Sequence, residues 1–118
     1  AALPDTQIVA VCGDGSFQMS LMELATMRQW NLPIKFVIMR NGYLGLVREY
    51  QHHTYHDRYS GVSLDGSPDF EKIADAYGLD YFHLEHNDEM EQRIDEFLAC
   101  EHAAMMVCEV YSFDLVKE

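Results

Sequence analysis

At 118 residues, with 48% apolar and 24% charged side chains, 3 prolines and 7 glycines, the chain has the composition of one globular domain. It is not that of a disordered, collagenous or disulfide-scaffold protein. The net charge is −12, yet residues 1–64 balance five acids (Asp5, Asp14, Glu23, Glu49, Asp57) against five bases (Arg28, Lys35, Arg40, Arg48, Arg58), so the whole excess falls in residues 65–118. Without clustered Lys and Arg, the pattern argues against nucleic acid as a partner. No apolar run approaches the ~20 residues of a membrane span, and no export signal opens the chain. Cys12, Cys100 and Cys108 form no CxxC and cannot all pair. Cys12 and Cys108 sit in apolar, strand-like runs and read as buried reduced thiols, which points to the cytoplasm.

The chain starts at Ala1 without a methionine and its first strand arrives almost at once, so it is expected to be a piece of a larger protein. Gln7–Cys12 is a short apolar run that stops at Gly13-Asp14-Gly15 and reads as a buried parallel strand. Ser20-Leu21-Met22-Glu23 has capping-box spacing and opens a helix that ends before Asn31-Leu32-Pro33. Ile34–Met39 is a second buried strand, which completes a right-handed crossover unit. Residues 40–66 read as a long irregular, functional loop with a short helix near Leu44–Tyr50. Ser67-Pro68-Asp69 supplies a cap, a first-turn proline and a first-turn acid for a helix with Ile73, Ala74 and Tyr77 inside and Gly78 at its end. A third strand over Asp80–Glu85, a helix capped by Asn87 and running to about Ala99, and a fourth strand over Ala104–Tyr111 follow. The expectation is a single α/β domain over residues 1–118, a parallel sheet with flanking helices.

The informative residues are Gly13-Asp14-Gly15-Ser16 and Asn41. Asp14 and Asn41 lie just past the carboxyl ends of consecutive parallel strands, 27 residues apart, and so emerge on the sheet edge where such folds bind ligands. A carboxylate, an amide oxygen and a loop carbonyl are hard donors suited to Mg²⁺ shared with a phosphorylated ligand. Gly15 permits close backbone approach, and the amides of Gly15 and Ser16 lead into a helical turn able to seat phosphate. A Gly-Asp-Gly alone is commonly a turn. The matching Asn41 raises it above that reading.

Gly13-Asp14-Gly15-Ser16-Phe17-Gln18-Met19, Glu23-Leu24-Ala25-Thr26, Pro33-Ile34-Lys35 and Asn41-Gly42-Tyr43-Leu44-Gly45-Leu46-Val47-Arg48 together resemble the thiamine-diphosphate enzymes. The closest resemblance is to the C-terminal, diphosphate-binding domain of acetolactate synthase large subunits. It continues through Ser67-Pro68-Asp69-Phe70 and Ala74-Asp75-Ala76-Tyr77-Gly78 and covers nearly the whole chain.

The resemblance implies that Asp14 and Asn41 are side-chain ligands of Mg²⁺ and that the Tyr43 carbonyl is the third protein ligand. Gly13, Gly15 and Ser16 would line the diphosphate, and Met19, Tyr43, Leu44, Gly45 and Leu46 would lie along the thiazolium side. The cofactor, thiamine diphosphate, carries the hard chemistry on a 2-oxo acid, pyruvate first. Tyr50 stands where these synthases usually have a tryptophan beside the incoming 2-oxo acid, and Arg40 where they usually have an asparagine. The catalytic glutamate belongs to another domain of a neighbouring subunit, so no residue here is assigned a catalytic role. A homodimer, a regulatory subunit and FAD in a middle domain, outside this chain, are implied for the full-length enzyme.

Two alternatives stay open: a 2-oxo acid decarboxylase or pyruvate oxidase domain, and a non-catalytic phosphate-binding module. His52, His53 and His56 lack the Cys or carboxylate pattern of a zinc site and read as a solvated or active-site-rim loop. Glu49 reads as a helix-surface carboxylate. Met22, Met27, Trp30, Met105 and Met106 read as core or subunit-interface packing.

Overall fold

The computed structural model describes residues 6–112; residues 1–5 and 113–118, which the single-domain expectation includes, lie outside the described residues. Strands β1 (Val9–Gly13), β2 (Lys35–Arg40), β3 (Asp80–Leu84) and β4 (Ala104–Glu109) form one parallel sheet in the order β1-β2-β4-β3. The register sets Val11 opposite Val37, and Val37 and Phe82 on either side of Met106. Parallel neighbours require crossovers. Helices α1 (Asp14–Met19) and α2 (Glu23–Gln29) connect β1 to β2, α3 (Gly45–Tyr55) and α4 (Phe70–Tyr77) connect β2 to β3, and α5 (Met90–Ala99) connects β3 to β4.

The step from β3 back to β4 reverses direction across the sheet, so a right-handed crossover puts α5 on the face opposite α1, α2 and α4. The core follows this division. Phe17, Leu24, Met27, Phe70 and Ala74 pack with Ile38, Met105 and Val107 on one face, and Phe97 packs with Leu84, Ala104, Met106 and Cys108 on the other. Alternate residues of β4 thus serve both layers, which is why an uninterrupted apolar run suits the strand that lies between β2 and β3. Met27, Met105 and Met106 are core residues, as expected, whereas Met22 and Trp30 are exposed.

Several local expectations shift. Among the described residues β1 is an edge strand, not a doubly buried one: Val11 is 66% exposed, because β1 pairs there with β2 alone and α5 packs at the other end of the sheet. The Ser20–Glu23 capping box does not form. Met22 takes the cap position in helical conformation after a turn, so Ser20 never acquires the extended backbone a capping side chain needs. α4 is capped by Asp69, whose side chain accepts from the Lys72 amide, while Ser67 instead accepts from the Gln18 side chain. Gly78 ends α4 at φ +68, as expected. Asn87 begins a 3₁₀ turn, Asn87–Glu89, and makes no side-chain cap. α3 runs on through Tyr55, so His52 and His53 are helical; no Gly or Pro interrupts residues 46–60, and the helix stops where His56 turns left-handed. Among the described residues no helix is long and apolar enough to cross a membrane.

Candidate functional site

Beyond the carboxyl ends of β1 and β2 the chain encloses a cleft of about 460 Å³, lined by residues 13–16, Met19, Met39, Asn41, residues 43–47 and Val110. All ten residues expected to hold the cofactor line this one cleft: Gly13, Asp14, Gly15, Ser16, Met19, Asn41, Tyr43, Leu44, Gly45 and Leu46. Tyr50 does not line it. It is 58% exposed, with its ring edge-on to Tyr55. Tyr50 follows Leu46 by four residues on α3, so the two share a helix face and Tyr50 stands one turn farther out.

Asp14 opens α1 directly after β1 and is 1% exposed. Its Oδ1 accepts the Gly15 amide at 2.9 Å and its Oδ2 accepts the Gly42 amide at 2.8 Å. The carboxylate therefore joins the two loops that leave β1 and β2. Gly42 makes this possible by adopting φ +73, which turns its amide back across the cleft floor. Asn41 Oδ1 accepts the Tyr43 amide at 2.9 Å and so folds its own loop. Gly15 leaves little room for a side chain: a Cβ would sit 2.8 Å from Leu44 Cδ2 and 3.2 Å from Leu64 Cδ1, and both leucine ends would have to shift.

A second layer supports the Asn41–Tyr43 loop. Residues 62–64 run antiparallel to it: Leu44 donates its amide to the Val62 carbonyl at 2.8 Å, and Leu64 donates to Gly42 at 2.9 Å. Arg48, buried on α3, lies over the rings of Tyr43 and Tyr59 and donates to the Ser112 carbonyl, while Ser112 Oγ donates to the Asn41 carbonyl at 2.8 Å. The Tyr59 hydroxyl and, secondarily, His52 hydrogen-bond Asp57 and hold its carboxyl below the usual range. Sequence reasoning named Arg48 only in the charge balance and as the end of a family-like stretch, with no role, and did not single out Tyr59 or Ser112. An arginine within a polar helix carries no local sign of burial; the partners that enclose it come from three separate segments.

A buried carboxylate needs a counter-charge or a full set of hydrogen bonds. Among the described residues no side chain forms an ion pair with Asp14, and none of the residues lining the cleft is Lys, Arg or His. Each Asp14 oxygen accepts one amide, which leaves acceptor capacity on both. The donors are all oxygens, and among the described residues no cluster of three or more His, Cys, Asp or Glu forms an all-protein metal site. That donor set fits Mg²⁺, which takes oxygen ligands that include one or two carboxylates and completes its octahedron with water and phosphate. Arg40 is turned elsewhere: it pairs with Glu109, its register partner on β4, at 3.1 Å, and lies over Phe70.

Residues 1–110 match the family described as "Thiamine pyrophosphate enzyme, C-terminal TPP binding domain". The chain belongs to this family. Thiamine pyrophosphate is the same molecule as thiamine diphosphate, so the resemblance read from the Gly-Asp-Gly and Asn41 segments holds. The acetolactate synthase of Arthrospira platensis is 38% identical over 110 residues, which is 92% of this chain and 19% of that protein. The acetolactate synthase isozyme 3 large subunit of Escherichia coli (strain K12) is 40% identical over 97 residues, 82% of this chain and 17% of that protein. The acetolactate synthase large subunit of Porphyra purpurea is 36% identical over 110 residues, again 92% of this chain and 19% of that protein. The chain thus spans less than a fifth of the length of these relatives.

Proposed function

We propose that this chain anchors the diphosphate end of thiamine diphosphate through Mg²⁺, as one domain of an acetolactate synthase-like enzyme that condenses two 2-oxo acids with loss of CO₂. The observation that carries this reading is Asp14, a buried carboxylate in a cleft whose lining has no cationic side chain. Such a cleft repels a diphosphate unless a metal ion stands between them. Asp14, the Asn41 side chain and the Tyr43 carbonyl would hold that ion, and Gly15, whose own amide is taken by Asp14, and Ser16 would line the diphosphate. The apolar Met19, Leu44 and Leu46 support the rest of the cofactor. When bound, the cofactor stabilises the electron pair released on decarboxylation.

The protein residues work by position. The two Asp14 hydrogen bonds fix the β1 and β2 loops relative to each other, so the oxygen donors are arranged before the ligand enters. Tyr50 meets the acceptor 2-oxo acid at the outer end of the cleft, on the same face of α3 as Leu46. Pyruvate is the first substrate, the other catalytic groups come from elsewhere in the longer protein and from a second copy in a homodimer, and a smaller regulatory subunit is a further partner. The names of the relatives, two of which are large subunits, support this assignment. Burial pushes the thiols of Cys12 and Cys108 up, which keeps them protonated and unreactive and suits a cytoplasmic protein.

Incubation of the full-length protein with pyruvate, thiamine diphosphate and Mg²⁺, with products identified by NMR, tests the reading. Acetolactate is expected. Acetaldehyde or acetate as sole product would replace the synthase assignment with a decarboxylase or oxidase on the same anchor.

A further inference from the structure

Two cationic side chains are buried among the described residues, Lys35 and Arg48. Lys35 lies at the amino end of β2, away from the cleft, where its Nζ donates to the Cys100 and His102 carbonyls under the Phe97 ring. That set ties α5 to the sheet and has no bearing on a ligand. Arg48 is different, because among the described residues two of its contacts lead to the loop that carries Asn41 and Tyr43. Its guanidinium carbon lies 4.5 Å from the Tyr43 ring centroid and 5.2 Å from that of Tyr59. Its Nη1 holds the Ser112 carbonyl, and Ser112 in turn holds the Asn41 carbonyl.

Burying a guanidinium is costly unless its surroundings compensate. Among the described residues, two aromatic faces and a carbonyl contribute to that compensation. The strap of residues 62–64 adds backbone pairing to the same loop. A lysine would supply charge without the planar surface that stacks between two rings.

We propose that Arg48 is the positioning residue of the Asn41–Tyr43 loop. It clamps the Tyr43 ring directly and the Asn41 backbone through Ser112, so that the loop's oxygen donors are preorganised for the cation. This rests on the reading of Asp14, Asn41 and Tyr43 as the metal-holding residues. It assigns to Arg48 control over how much Mg²⁺ is needed to bind the cofactor, not contact with the cofactor itself.

The test is calorimetric titration of thiamine diphosphate into the full-length protein over a series of Mg²⁺ concentrations, with the melting temperature of each protein recorded without cofactor. Arg48→Met is expected to raise the half-saturating Mg²⁺ concentration about tenfold, the loss of one stacked cation and one charged hydrogen bond. Binding stoichiometry at saturating Mg²⁺ stays that of the wild type. Arg48→Lys falls between the two, and Ser112→Ala shifts the same quantity by about threefold. A merely structural role lowers the melting temperature or the stoichiometry and leaves the half-saturating Mg²⁺ concentration unmoved; that result overturns the proposal. Should Arg48→Met not fold, Arg48→Lys and Ser112→Ala decide by the same readout, and no shift in both overturns it. A wild-type protein that binds thiamine diphosphate without regard to Mg²⁺ would overturn the metal reading of the site, and Arg48's role with it.

Discussion

The two halves of the chain obey different rules. Among the described residues, every buried charged side chain (Asp14, Lys35, Arg48) and every non-glycine residue at positive φ (Asn31, His56, Asp57) lies before residue 65. After it, α4 and α5 bury apolar faces and turn their own acids to solvent. The second half builds a scaffold by local consistency. The first half breaks that consistency at the edge where we propose that the cofactor binds, and again at Lys35, far from it. A buried charge therefore marks a place under constraint; only its surroundings say whether the constraint serves binding or folding.

Substitutions that separate those two outcomes sharpen the contrast. Asp14→Ala removes the buried carboxylate and both loop contacts, and weakens Mg²⁺-dependent binding of thiamine diphosphate by about 100-fold or more in calorimetry. Lys35→Ala leaves two carbonyls without their donor and a void under Phe97, so urea unfolding reports a loss of about 3 kcal/mol while cofactor affinity stays within about twofold. A large affinity loss from Lys35→Ala would break the comparison. Gly15→Ala drives a methyl against Leu44 and Leu64, at a cost of about 1 kcal/mol that appears as roughly fivefold weaker cofactor binding.

The smallest effect belongs to the scaffold half. The Lys72 side chain, and then its amide, hold the carboxyl of Asp69 below the usual range. A depressed native pKa stabilises the fold above the unfolded carboxylate range, and the contribution is lost as pH falls through the native value. Asp69→Asn keeps a capping side chain but drops the charge, so the variant is slightly less stable than the wild type at neutral pH. The difference in melting temperature closes under acid. A constant difference from neutral to acid pH would contradict that account.

Legibility followed the same division. The four strands were readable to within two or three residues because apolar runs bounded by Gly, Pro or Asn survive any packing partner. Asp14 and Asn41 were readable because each directly follows a strand, and a parallel sheet delivers both to one edge. The N-terminal helix caps were not. Ser20, Ser67 and Asn87 all have the chemistry of a cap, but capping depends on the backbone angle at that residue, and each stands in a turn or linker instead. The polar end of α3 was hidden for lack of apolar period. Burial of Arg48 was hidden because Tyr59 and Ser112 reach it from distant segments of chain.

The central claim is that a metal ion bridges Asp14 and the diphosphate. The most direct measurement is calorimetric titration of thiamine diphosphate into the full-length protein stripped of metal with EDTA, then repeated after Mg²⁺ is restored. Binding is expected only with Mg²⁺, and Asp14→Ala is expected to abolish that dependence along with the affinity. Equal binding with and without the metal, or an Asp14→Ala protein that binds as the wild type does, would contradict it.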